Sequence, residues 1–246
     1  MLAIMGNKEN IMRSAALGYN LISRFDNTVR ERIDYAAQIE DLPLHTAIVT
    51  GGNVQYNLAA ADLEAAGFEQ FDGGLKVVMK IIDDKLLYPE IRVKNSAYGA
   101  NSVFINTDYV FGYYSFYDTK VAETFDVYAK AGDFLRNLNM SESELDGYII
   151  SVYSDLTMPL GPLGAAQRGI EDLMAGLNTH DKTIKMIKDI KKFTAEDIGK
   201  YASLADAVTS ESGSRATAGG KSVIEANAEL YDYINYNLMS GEEETE

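Results

Sequence analysis

Cysteine and tryptophan are absent from this sequence, which also holds only two histidines and four prolines. Without cysteine there is no disulfide framework, no thiol nucleophile and no thiolate metal site; the absence suits a reducing compartment, so a cytoplasmic setting is expected. No run of about 18 apolar residues occurs, so no membrane span is expected. Positive charge is scarce: 22 Lys and Arg stand against 37 Asp and Glu, a formal net charge of −15. Such a surface repels phosphate backbones, which argues against nucleic acid as a partner. The opening residues MLAIMGNKEN are too short and wrongly flanked for a secretory signal.

Further absences narrow the chemistry. An inverted zinc-peptidase helix needs two His four apart and a Glu that activates water. His45 and His180 stand far apart in sequence, each without a partner His at ligand spacing, so no metal site is expected in this chain. There is no G-x-S-x-G, and the glycines of GPLGAAQRG follow no strand and precede no Lys-Ser/Thr, so neither a serine hydrolase nor a phosphate loop has support.

What is present is enough chain, at 246 residues, to bury a sizeable core. A short apolar run at Leu2–Met5 precedes a helical stretch over 9–23, and residues 24–45 are charged and irregular. Leu44 to Thr50 alternates like a strand, and the alanine-rich Ala59–Ala66 reads as a helix closed by Gly67. Leu75, Val78, Met79, Ile82 and Leu86 form one apolar helical face, which should loosen at Tyr88 because Pro89 follows. Strands are expected from Ser102 and over Tyr109–Tyr117, where aromatics crowd. Asp118 or Thr119 can cap the next helix, and Ser141 with Glu144 forms a capping box for a helix over 142–153. MPLGPLGAAQRG reads as a loop before a helix from Ile170; Asp181–Lys192 is a basic amphipathic helix; Thr194 with Asp197 opens another. SESGSRATAGG reads as a polar turn or loop, Ser222–Glu225 as a short strand, Ala226–Leu238 as a closing helix, and SGEEETE as a disordered tail. Strands in hairpins with helices in runs point to α+β, with a mostly antiparallel sheet covered by helices.

One segment does not fit simple packing. IRVKNSAYGA sets Arg92 and Tyr98 six positions apart among small residues, with Gly99 allowing close backbone approach. On chemistry alone Arg92 could pair with Asp83, Asp84 or Glu90, and Tyr98 could pack with its hydroxyl satisfied. Equally, a guanidinium fork and a directed phenol donor suit a carbonyl or an oxyanion.

IRVKNSAYG resembles the arginine–tyrosine segment in the C-terminal half of M16 (pitrilysin/insulinase-type) zinc metallopeptidases, in particular the presequence-protease branch, where it reads R-x-x-G-G-A-Y-G. Here Asn95 and Ser96 stand at the two glycine positions. SFYDTK is similar to the family's S-Y-R-D-P segment, with Phe116 and Tyr117 in place of the usual pair and no proline after Asp118. The resemblance covers roughly 44–237. It implies a chain that binds no cofactor, with zinc in a partner N-terminal half of the same peptidase. Arg92 and Tyr98 would hold an unstructured peptide and stabilise its tetrahedral intermediate across a closed chamber. Gly99 and Arg168 would contact substrate. It also implies that residues 1–25 end a preceding domain, 26–43 link, 44–238 form the C-terminal domain and 239–246 trail from it, in a piece that starts late in the parent fold. The alternative is a non-catalytic structural or peptide-binding subunit of the same family.

Overall fold

The computed structural model describes residues 4, 6–25, 43–64, 66–68, 72–105, 109–176 and 179–236. Apart from Ile4 and Pro43, the run Leu2–Met5, the 26–43 segment and the acidic tail lie outside these residues. The chain divides into two compact units, one from Met1–Asp41 and Ser154–Ile184, the other from Leu42–Tyr153 and Lys185–Glu246.

The second unit carries a six-stranded sheet in the order β3-β4-β2-β5-β1-β6. Its strands are β1 (His45–Thr50), β2 (Gln55–Asp62), β3 (Gly99–Ile105), β4 (Val110–Asp118), β5 (Ser214–Gly220) and β6 (Tyr233–Asn235). β3, β4, β2 and β5 pair antiparallel in sequence, but β1 pairs parallel with both β5 and β6. The expectation of a mostly antiparallel sheet is therefore corrected: the sheet is mixed. Parallel neighbours need a long crossover, and here nearly the whole unit lies between β1 and β5, so no local hairpin pattern could announce the pairing.

Small residues explain two of the misread elements. Gln55–Asp62 is a strand where the alanines favoured a helix. Ala59 and Ala61 are buried, α3 (Ala122–Ala129) and α8 (Ala202–Ala207) pack on this strand, and a Cβ at Gly112 would lie 2.3 Å from the Ala59 carbonyl oxygen. Close layering selects small side chains here and overrides helix propensity. Ser214–Gly220 is a sheet strand where Ser, Thr and Gly read as a turn. Gly219 leaves room for the Gln55 side chain, whose Oε1 accepts from the Gly220 amide at 3.0 Å. Downstream, Lys221–Glu225 is helix (α9) and Tyr233–Asn235 is strand, the reverse of the expected order.

The apolar helix α2 (Gly73–Ile82) is capped by Asp72, which accepts from the Leu75 amide at 2.7 Å. The regular helix loosens earlier than at Tyr88, the place expected from Pro89. From Asp83 to Lys94 the chain continues as a wide-turn π-type helix that runs through the proline. A π register shifts the carbonyl that each amide would meet, and such turns are uncommon and frequent at functional sites. α4 (Ala131–Asn137) follows α3, and α5 (Glu142–Thr157) has its Ser141–Glu144 capping box. In the first unit, α1 (Lys8–Ile22) is capped by Asn7. There α6 (Pro162–Ala175) starts with Pro at its first turn, where a missing N–H is tolerated, so GPLG opens a helix instead of a loop. The basic helix α7 (Thr179–Ile190) stands as expected, and Thr194 and Asp197 make their reciprocal cap.

A fully buried polar cluster ties the centre of the sheet together. Asp118 Oδ2 accepts from Ser115 Oγ (2.7 Å), Thr124 Oγ1 (2.8 Å) and Asn57 Nδ2 (3.2 Å), while Oδ1 accepts from the Lys120 amide at 2.9 Å. Asn57 Oδ1 accepts from Thr217 Oγ1 at 3.0 Å, and Thr217 Oγ1 accepts from the Tyr231 hydroxyl at 2.6 Å. One connected set thus spans β4, β2 and β5. Asp118 is this hub and not the expected cap of α3, whose first turn has no side-chain cap.

Two predictions follow from these contacts. Asp118→Ala strands several buried donors and is expected to lower the unfolding free energy by about 3–5 kcal/mol in urea titration; a loss of under about 1 kcal/mol would show that the cluster contributes little. Asp83, on the π-type helix, accepts from the Ser102 amide at 2.6 Å, and burial pushes its carboxyl up to about 6. A pKa raised above the unfolded value gives stability that is full below about pH 4 and lost as pH rises through about 6. Asp83→Asn keeps the acceptor and removes the ionisation. The variant should gain on the wild type by up to about 3 kcal/mol between pH 4 and pH 7, and a pH-independent difference would contradict the assignment.

Candidate functional site

Arg92 sits near the end of the π-type helix, and Tyr98 follows in the short connection to β3. Three hydrogen bonds fix that connection: the Ala97 amide to the Ile91 carbonyl (3.2 Å), the Tyr98 amide to the Tyr117 carbonyl (3.3 Å), and Thr119 Oγ1 to the Asn95 carbonyl (2.9 Å). Ser96 takes φ +65°, the left-handed region that glycine enters without cost. Ser96 holds this conformation without being a glycine.

Both candidate side chains are exposed, Tyr98 at 65%. The Arg92 guanidinium carbon lies 5.7 Å from the Tyr98 ring centroid and 5.4 Å from that of Tyr88. The alternative of an ordinary ion pair is not what is found among the described residues. Asp84 faces Lys80 at 3.6 Å, Glu90 faces Lys94 at 2.5 Å, and Asp83 receives the Ser102 amide. Among the described residues no carboxylate is paired with the Arg92 guanidinium.

Behind Tyr98 stands an irregularity in β4. Between the pairs Gln55–Asp118 and Asn57–Ser115, one residue of β2 (Tyr56) faces two of β4 (Phe116 and Tyr117), a bulge, and Tyr117 within it has φ +46°. The bulge is held on both sides by members of the buried cluster, Ser115 and Asp118. It brings Tyr117 to 6.0 Å from Tyr98, edge on, and to 5.5 Å from Tyr56, with Phe116 at 5.6 Å from Tyr98. The Tyr117 phenol, by hydrogen bonding, raises the Tyr56 hydroxyl above its ordinary pKa. Tyr56 and Tyr117 are substantially exposed, so the row Tyr88–Arg92–Tyr98–Tyr117–Tyr56 lies at the surface. The sequence drew attention to Arg92 and Tyr98 but passed over Tyr56 and Tyr88. The substitution at Phe116–Tyr117 in the S-Y-R-D-P-like segment was the one visible signal of the rest.

Gly99 is buried, and a Cβ there would come within 2.5 Å of the Phe116 ring, so glycine makes room for that ring. Arg168 lies in the first unit, exposed on α6. His45 pairs with Asp232 (Nδ1 to Oδ2, 3.2 Å), and His180 is exposed at the start of α7. Among the described residues no three His, Cys, Asp or Glu converge to hold a metal ion. Nor is any described helix long and apolar enough to cross a membrane.

Comparison with known proteins gives these features a family. The family model described as the PreP C-terminal domain matches residues 45–218. Presequence protease 1, chloroplastic/mitochondrial, of Arabidopsis thaliana is 29% identical over 194 residues, 78% of this chain and 18% of that protein. The mitochondrial presequence protease of Xenopus laevis is 29% identical over 108 residues, 44% of this chain and 10% of its own length. The chain thus spans less than a fifth of these relatives. In fold it is similar to pitrilysin, with TM-score 0.56 at 14% identity over 86% of this chain and 23% of that one. A protease from Helicobacter pylori gives 0.55 at 14% identity, covering 85% and 52%. A family model that spans most of the sheet-bearing unit, with relatives and folds that agree, shows that this chain belongs to the presequence-protease C-terminal domain family of the M16 (pitrilysin-type) peptidases.

Proposed function

We propose that this chain is the non-zinc C-terminal part of an M16 oligopeptidase and works with a zinc-bearing N-terminal half. Residues 44–238 would form its last domain and 1–25 the end of the preceding one, joined by 26–43. The observation that carries the reading is the state of Arg92 and Tyr98. Both are exposed and adjacent, and the carboxylates near Arg92 are engaged elsewhere.

The proposed chemistry needs two kinds of donor. An extended peptide presents carbonyl oxygens, and its scissile carbonyl becomes an oxyanion as water adds. Arg92 can hold such oxygens with a permanently charged, planar fork, while the Tyr98 hydroxyl adds one directed donor. The Tyr98 backbone is fixed through the 95–98 connection and the β4 bulge, so its donor needs little reorganisation. The activating metal chemistry belongs to the other half. On the same reading Gly99 and Arg168 would contact bound peptide. The absence of cysteine suits a reducing, cytoplasmic compartment, which localisation of the tagged chain can test directly; the two presequence-protease relatives named above carry mitochondrial or chloroplastic names.

Arg92→Ala in the assembled peptidase is expected to lower kcat by roughly 10²–10³-fold, the usual effect of removing one oxyanion donor. Tyr98→Phe should cost less, roughly tenfold, since only one neutral donor goes. Steady-state cleavage of an unstructured peptide measures both. Unchanged turnover in Arg92→Ala would sink the proposal.

A further inference from the structure

The proposed function gives Arg92 its work but leaves open what keeps an exposed cation on a three-methylene stem in place. We infer that Tyr88 is the positioning residue for Arg92. It holds the guanidinium by its face, together with Tyr98, so that the in-plane donors stay free for substrate. This rests on the peptidase reading above and adds a residue that the arginine–tyrosine motif does not contain.

The geometry supports it in three ways. Tyr88 precedes Arg92 by four residues on the π-type helix, whose turn of a little over four residues sets the two side chains nearly in line. Its ring centroid lies 5.4 Å from the Arg92 guanidinium carbon, slightly nearer than that of Tyr98 at 5.7 Å. The competing carboxylates are neutralised nearby, Asp84 by Lys80 of α2 and Glu90 by Lys94 of the π-type helix. A carboxylate partner would occupy the guanidinium fork through its N–H groups. An aromatic partner attracts the cation through the ring quadrupole and consumes none of them. A long side chain held in this way also loses less rotamer freedom when it meets substrate. Tyr88 is 49% exposed, so its role is not that of a core residue.

The test uses Tyr88→Leu, which keeps apolar bulk and helix propensity but has no ring, and Tyr88→Phe, which keeps the ring. In the whole chain with ¹³C-labelled arginine, ring currents should move the Arg92 δ-proton resonances upfield in the wild type and in Tyr88→Phe. Tyr88→Leu should shift them back toward the ordinary position. In the assembled peptidase Tyr88→Leu should lower kcat by roughly tenfold with KM within about twofold, Tyr88→Phe should restore it, and in an Arg92→Ala background the Leu change should have no further effect. Identical Arg92 resonances in the wild type and Tyr88→Leu would overturn the contact. With Arg92 required for turnover, equal kcat in Tyr88→Leu and wild type would overturn the positioning role alone. Wild-type turnover in Arg92→Ala would instead overturn the peptidase reading, and the positioning role with it.

Discussion

The buried carboxyl group of Asp118 is the contact on which the rest of the candidate site depends. It accepts from Ser115, Thr124, Asn57 and the Lys120 amide, and through Asn57 it reaches Thr217 on β5 and then Tyr231. A polar group in a core is tolerable only when its bonds are made, so the set constrains all its members at once. Two of them bracket the β4 bulge. With Ser115 and Asp118 held, Phe116 and Tyr117 have little choice of position, and Tyr117 remains at a positive φ that an unconstrained tyrosine would leave. The carbonyl of Tyr117 then receives the Tyr98 amide. A polar cluster in the sheet centre is in this way connected, bond by bond, to an exposed tyrosine at its surface.

The helix side of the site obeys a different constraint. α2 is apolar and buried, but beyond Ile82 the chain changes to wide turns and becomes more polar, with Leu86, Leu87 and Ile91 still buried. Asp83 anchors this stretch to β3 through the Ser102 amide, and the lysines at positions 80 and 94 take up Asp84 and Glu90. What remains at the surface is Arg92 between the reach of two rings. Packing and charge pairing together leave a cation whose hydrogen-bonding edge is open, which is the property that the proposed role requires.

Much of this was legible in the residues. The apolar period of α2, the capping residues at 141 and 194, and the aromatic strand around Tyr113 all announced themselves, because each is a local pattern. The Arg92–Tyr98 segment was legible through its resemblance to the M16 motif. Elements selected by tertiary packing were not. The alanines of β2 and the glycines of β5 read as helix and loop, because their advantage is the space they leave to neighbours distant in sequence. The parallel pairing of β1 with β5 and β6 has no local signature either. Asp118 showed a cap-like context, and only its partners on β2 and α3 reveal a hub. No local pattern marked Tyr88 or Tyr56, which the fold brings into one row with Arg92.

The central claim is a division of labour, with substrate-holding groups in this chain and zinc in another half. Its most direct test measures cleavage of an unstructured peptide and bound zinc for this chain alone, for a zinc-bearing presequence-protease N-terminal half alone, and for the two mixed. Turnover should arise only in the mixture, with the zinc found on the N-terminal half. Peptide cleavage or stoichiometric zinc in this chain by itself would contradict the account, as would association of the two halves with no gain in turnover.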